Sequence, residues 1–263
     1  MNFLILILIA LIITAIGFKK YVYFISLGYG FSIAVMGVAM LIMFNSQLSM
    51  ATALACLLFM IYGCRLGGYL LMREVKSASY RSAMKKEIKD GSEIKMAAKI
   101  SIWISVAILY PLMISPVFFR LQNGDEGGII CWLGVIIMAL GVLLESMADF
   151  QKSKAKKQNP HRFCDTGLYQ IVRCPNYLGE VLFWTGVLVS GLVSLAGFWQ
   201  WLAAIIGWAS IVYIMFGGAR RLEIRQNRNY GNDPEYQMYV KTTPIILPFV
   251  PLYSVEKYKW LKG

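Results

Sequence analysis

Seven apolar stretches, at roughly 1–18, 21–44, 49–72, 101–119, 128–150, 178–196 and 198–218, constrain this chain more than any other feature. Each approaches the ~20 residues that a helix needs to cross a ~30 Å hydrocarbon core. Lipid offers backbone amides no partners, so a spanning segment is either a helix or a strand of a closed barrel. A barrel would show alternating segments of about ten residues. Uninterrupted runs such as Leu4 to Ile16 exclude one. The chain therefore reads as an all-α integral membrane protein, with seven transmembrane helices in a single domain over 1–263.

The cations set its orientation. If all seven stretches cross, 24 of the 26 Lys and Arg residues fall on one side: Lys19–Lys20, eight in 73–99, six in 151–177 and eight in 219–263. The positive-inside rule makes that side cytoplasmic, which places the N-terminus outside and the C-terminus in the cytoplasm. The first stretch has no basic residue before it and lysines after it, so it reads as a retained span rather than a signal peptide. A net charge of +12 then belongs to loops beside anionic lipid, with no nucleic-acid partner implied. At 58% apolar residues and a mean hydropathy of +0.58, a soluble domain is excluded. Compact loops and no retention signal point to a bacterial inner membrane. Only Arg65 and Arg120 fall outside the basic segments. An arginine inside a span is expensive, which makes Arg65 a functional candidate.

Several chemistries are poorly supplied. Cys56, Cys64 and Cys131 lie in apolar stretches, Cys164 and Cys174 in a loop, and no pair has metal-ligand spacing. The single histidine, His161, follows Pro160 in a polar loop and reads as solvated, so neither a zinc centre nor a His-based nucleophile is expected. No inverted repeat speaks for a transporter. Segment 74–99 carries Tyr80, Met84 and Ile88 at spacing four, which reads as a connector with a lipid-facing stripe. The tail 219–263 is expected to pack against the domain.

Chemistry concentrates between Leu143 and Gly191. Glu145 and Asp149 sit four apart, on one helical face near the end of the fifth stretch, and lysines follow at 152, 154, 156 and 157. Carboxylates that grip hydroxyls or an amide, followed by ammonium groups that neutralise phosphates, suit a dinucleotide. Taken alone, the lysines read better as snorkelling side chains at a helix end. The next helix start gathers Arg173, Asn176, Tyr177 and Glu180 around Pro175. Proline fits a first helical turn, where free amides and the positive dipole end favour an anion.

The pieces ESMADFQK and GLYQIVRCPNYLGE, with Glu223, Tyr230–Gly231, Tyr236, Tyr239, Pro244 and Pro248 in the tail, resemble the membrane steroid 5α-reductase-like proteins of the DUF1295 type. That superfamily also includes sterol C14-reductases and the methyltransferases of isoprenylcysteine and phospholipids. The resemblance is closest over 143–250. It implies an NADPH-dependent enzyme that reduces a carbon–carbon double bond conjugated to a ketone in a steroid or other isoprenoid lipid. Helices of 1–119 would form the substrate cavity, and 128–263 would hold the cofactor. Carried over, Asp149, Arg173, Asn176, Tyr177, Glu180, Tyr230 and Tyr236 would line the NADPH pocket, Lys156 would meet a phosphate, and Glu145 and Glu223 would join them. The expected partners are the apolar substrate and membrane lipids, and the expected state is a monomer.

In the third stretch, Tyr62-Gly-Cys-Arg65-Leu-Gly-Gly-Tyr69 resembles the reductases' Tyr-x-x-Arg-x-x-x-Tyr element. The resemblance implies that Tyr62 donates to the substrate ketone while Arg65 eases its ionisation. Two departures stand out. Cys174 occupies a position where the family often has histidine, and residues 1–73 contain no Glu or Asp to match the acidic partner of the steroid enzymes. GLYxxVRxPxYxG also occurs in the S-adenosylmethionine-dependent methyltransferase branch, which gives an alternative activity. A lipid-binding protein without turnover is a third reading.

Overall fold

The structure, a computed structural model, describes residues 2–76, 94–125 and 128–262, with the backbone alone for 73, 74 and 76. Every regular element among the described residues is helical: α1 (Asn2–Thr14), α2 (Leu27–Met43), α3 (Met50–Lys76), α4 (Met96–Gln122), α5 (Ile129–Gln158), α6 (Pro175–Gly191), α7 (Gly197–Tyr230) and α8 (Pro234–Thr242). Short 3-10 turns flank them at Ala15–Phe18, Tyr21–Phe24, Gly167–Gln170 and Leu192–Ser194.

Among the described residues, six segments are long and apolar enough to cross a membrane: Tyr21–Met43, Met50–Met72, Met96–Gln122, Ile129–Gln158, Pro175–Ser194 and Gly197–Tyr230. The protein is therefore an integral membrane protein with six candidate spans. The first apolar stretch, Asn2–Phe18, forms a shorter helix than the seven-span reading asks for. Two helices outrun their apolar stretches: α5 continues through the lysines to Gln158, and α7 through the arginines to Tyr230. Lys, Arg, Gln and Glu are good helix formers, so the helices persist where apolar surface ends. Tyr80, Met84 and Ile88 lie outside the described residues.

The chain divides into two compact units, Met1–Val135 with Val187–Gly207, and Ile136–Gly186 with Trp208–Gly263. In the first, α2 and α3 pack through small residues. A Cβ built on Gly63 would lie 2.2 Å from the Gly30 carbonyl oxygen, and one on Gly30 would lie 2.8 Å from the Gly67 nitrogen. In lipid, where apolar side chains gain little by leaving their solvent, such backbone approach is what holds helices together.

Proline shapes a second contact of this unit. Pro116 lacks the N–H that the Leu112 carbonyl would accept one turn earlier in α4. Gly207 backs onto that carbonyl, so closely that a Cβ there would be 2.3 Å from Leu112 O. Arg120, in the last turn of α4, is fully buried and donates through Nη1 to Ser190 O and through Nη2 to Asp125 Oδ1, each at 2.5 Å. Ser194 Oγ donates to the other oxygen of Asp125 at 2.6 Å. This second off-pattern arginine therefore ties a helix end to its neighbours.

In the second unit α5 and α6 meet at Gly141 and Gly179, where a Cβ on Gly179 would lie 2.8 Å from both Gly141 O and Glu145 N. The tail packs as expected. Arg173 N donates to Pro244 O at 2.8 Å and Cys174 N to Ile245 O at 2.9 Å, stapling the tail to the start of α6. Ile245, Ile246, Val255 and Leu261 then complete a core with Cys174, Ala219 and Leu222.

Candidate functional site

The start of α6 carries the most constrained polar group in the second unit. Arg173 is buried, and its Nη2 donates to Glu223 Oε1 at 2.8 Å and to the Tyr253 carbonyl oxygen. Glu223 accepts the Val255 N–H on its other oxygen at 2.9 Å. Both carboxylate oxygens of Glu223 thus serve the fold, and this residue positions Arg173. Its Nε and Nη1 are buried without a hydrogen-bond partner of good geometry, although the Tyr236 hydroxyl lies near enough to feel the guanidinium. Three residues on, Asn176 Oδ1 is also buried without a donor. Buried polar atoms nearly always find partners, so two donors and an acceptor left over at one helix start mark a ligand position. The set suits a group that offers an anionic oxygen to the arginine and an N–H or O–H to the amide, as a dinucleotide does. NADPH therefore fits the residues at this position.

The remaining candidates of this unit surround that helix start in different ways. Lys156 places all three of its donors on neighbours: Pro160 O at 3.1 Å, Arg162 O at 2.5 Å and the Tyr230 hydroxyl at 3.0 Å. It shapes the turn after α5, and a phosphate would have to displace one of these acceptors. Tyr230 belongs to an aromatic group with Phe163 at its centre, whose ring lies 5.9 Å from Tyr230, 5.2 Å from Tyr236 and 5.4 Å from Tyr239. Tyr236 donates to Asn227 Oδ1 at 2.7 Å, and Tyr239 to the Tyr169 carbonyl at 2.7 Å. Burial pushes the Tyr236 phenol up to about 12, with the nearby Arg173 opposing the rise. Arg162 forks between Asp165 and Glu235, fastening this loop to α8.

The acids lie on α5 and α6. Glu145 and Glu180 are both buried, and Trp184 Nε1 donates to Glu180 Oε1 at 3.3 Å. Asp149 is half-buried one turn beyond Glu145, and Tyr177 is half-buried with its ring 3.5 Å from a Cβ position on Gly218. The close approach of α5 and α6 at Gly179 holds Glu145 at the contact. His161 is exposed, as its polar loop implies.

Cys174, where the family often has histidine, is buried in the tail core, and burial pushes its thiol from 9.0 up to about 12. The unfolded chain ionises this thiol first, so its contribution to stability is full below pH 9 and disappears as pH rises towards 12. A Cys174→Ser variant is accordingly expected to lose part of the decline in melting temperature on the alkaline side, measured in detergent between about pH 8 and 11.

In the first unit Tyr62 is fully buried on α3, and its hydroxyl lies 2.8 Å from that of Tyr29 on α2. Arg65 and Tyr69 follow one and two turns later on the same helix, both half-buried. Sequence reasoning did not find Tyr29. The available signal was the small-residue pattern Gly30 and Ala34 facing Gly63 and Gly67, which draws α2 and α3 close enough for their tyrosines to meet. It also missed Asn227 and Phe163, whose roles depend on contacts far along the chain.

The family described as protein of unknown function DUF1295 matches residues 11–243 of this chain. No curated protein and no solved structure matches it.

Proposed function

Since the chain belongs to the DUF1295 family, which is of the steroid 5α-reductase-like type, we propose that it is an NADPH-dependent membrane reductase of a carbon–carbon double bond conjugated to a ketone. The substrate would be a steroid or another polycyclic or isoprenoid lipid, met in a bacterial inner membrane with the basic segments inside. The observation that carries this reading is the helix start of α6, where Arg173 Nε and Nη1 and Asn176 Oδ1 are buried without protein partners.

In this reading Arg173 takes an anionic oxygen of the cofactor through the two donors that Glu223 and Tyr253 leave over. Asn176 receives an N–H or O–H. Glu145, Asp149, Tyr177 and Glu180 grip hydroxyl and amide groups, while Tyr230 and Tyr236 wall the pocket beside Lys156. NADPH, when bound, supplies the hydride. Tyr62 donates a hydrogen bond to the ketone oxygen as negative charge develops there, and Arg65 one turn away favours that donation electrostatically.

Isothermal titration on detergent-solubilised protein tests the cofactor assignment. NADPH is expected to bind, and Arg173→Lys is expected to weaken it by at least about tenfold. The lysine keeps a cation beside Glu223, so the variant still folds while losing the planar donors. Heat with S-adenosylmethionine and none with NADPH would reverse the assignment in favour of methyl transfer. Loss of NADPH absorbance on adding a 3-oxo-4-ene steroid tests turnover, and lipid binding without oxidation would make the protein a non-catalytic binder.

A further inference from the structure

Tyr29 is the second half of a buried hydroxyl pair whose first half, Tyr62, the reductase reading already uses. The two oxygens are 2.8 Å apart, and the rings meet edge to face at 6.1 Å. Tyr29 also rests against the Tyr110 ring of α4 at 5.0 Å. Tyr110 commits its own proton to the Phe24 carbonyl at 2.8 Å, so it fixes the ring of Tyr29 without entering the hydroxyl pair.

The pair sits at the tightest point between two helices. Gly30 follows Tyr29 and Gly63 follows Tyr62, and these glycines are the residues whose backbones touch. Residues 1–73 contain no Asp or Glu, so none of the first three apolar stretches brings a carboxylate to Tyr62. What those stretches do bring is a second phenol.

We propose that Tyr29 is the positioning residue of Tyr62, donating its hydroxyl proton to Tyr62 Oη so that the proton of Tyr62 faces the ketone oxygen of the substrate. The proposal rests on the reductase reading above. A phenol that accepts one hydrogen bond is a better donor of another, and the bond it accepts strengthens as it approaches phenolate. In the step concerned, hydride bonds to the β-carbon and the electron pair of the C=C bond moves to join the α-carbon to the carbonyl carbon. The carbonyl π pair goes to oxygen, the O–H bond of Tyr62 breaks, and its proton passes to that oxygen, giving an enol. Tyr29 holds the phenolate left on Tyr62. The enol then returns its proton to Tyr62 while the α-carbon takes one from water, so one NADPH and one proton are consumed per saturated ketone formed.

A double-mutant cycle on full-length protein in detergent tests this. Tyr29→Phe is expected to lower kcat about 10- to 100-fold with KM for the enone and NADPH affinity nearly unchanged. Tyr62→Phe is expected to cost at least as much, and the double variant no more than Tyr62→Phe alone, because a hydroxyl that acts only through Tyr62 has nothing left to act on. Tyr213→Phe, which removes a hydroxyl bonded to the Trp260 carbonyl at 2.7 Å, serves as the control and is expected to leave kcat unchanged. Wild-type kcat in Tyr29→Phe, or losses that multiply in the double variant, would overturn the role of Tyr29 while leaving the reductase reading intact. Full turnover by Tyr62→Phe, or binding of NADPH with no oxidation by any enone, would remove the reading itself and the proposal with it.

Discussion

Replacing Arg173 with Met is expected to lower stability by about 3–5 kcal/mol, seen as a fall of roughly 10 °C in the melting temperature of the solubilised protein. Its side chain and that of Glu223 are each only 1% exposed. Taking the cation away leaves a buried carboxylate with the Val255 N–H as its remaining hydrogen-bond partner among the described residues. The Tyr253 carbonyl loses its donor at the same time, so the tail is released at two points. Most of the loss comes from the stranded charge rather than from the missing bond. A second change, Glu223→Gln, should therefore restore much of it, since the amide oxygen can still accept from Val255 and carries no charge. A stable Arg173→Met protein would mean that this pair does not anchor the tail.

A bulkier residue at Gly63 is expected to be as damaging in the other unit. Its Cβ would lie 2.2 Å from Gly30 O and 2.7 Å from Ala34 N, both backbone atoms that cannot turn aside. Gly63→Leu should drive α2 from α3, separate Tyr29 from Tyr62 and leave little monodisperse protein by size-exclusion chromatography. Even Gly63→Ala should cost about 1–3 kcal/mol, the usual penalty for overpacking. Gly68 provides the contrast. Nothing lies within 4 Å of a Cβ there, so Gly68→Ala should be neutral or slightly stabilising through helix propensity. Equal losses at the two positions would show that α2 and α3 do not depend on glycine contact.

Much of the candidate site was visible as residue types, and less of it as roles. Arg173, Asn176, Glu145 and Glu180 fall within 36 consecutive residues on two helices that meet at Gly179 beside Glu145. Glu223 shows the limit. Its match to an acidic motif position implied a cofactor contact, whereas the fold sets it against Arg173, 50 residues earlier, and the Val255 amide. Lys156 is a similar case: the family resemblance implies a phosphate contact, and in the fold its three donors hold a loop together. A sequence records which groups can bond, and many partners compete for each of them.

The sequence by itself determined the helical class and the position of six apolar spans, because a backbone in hydrocarbon must satisfy its own hydrogen bonds whatever surrounds it. That demand is local, so composition over some twenty residues answers it. The tertiary structure alone decided which side chains meet: Tyr29 with Tyr62 across 33 residues, Arg173 with Glu223 across 50, Lys156 with Tyr230 across 74. The first of these contacts follows from how closely α2 and α3 approach at Gly63. Backbone approach depends on the absence of a side chain on one helix and on the shape of another far along the chain, which no local pattern encodes.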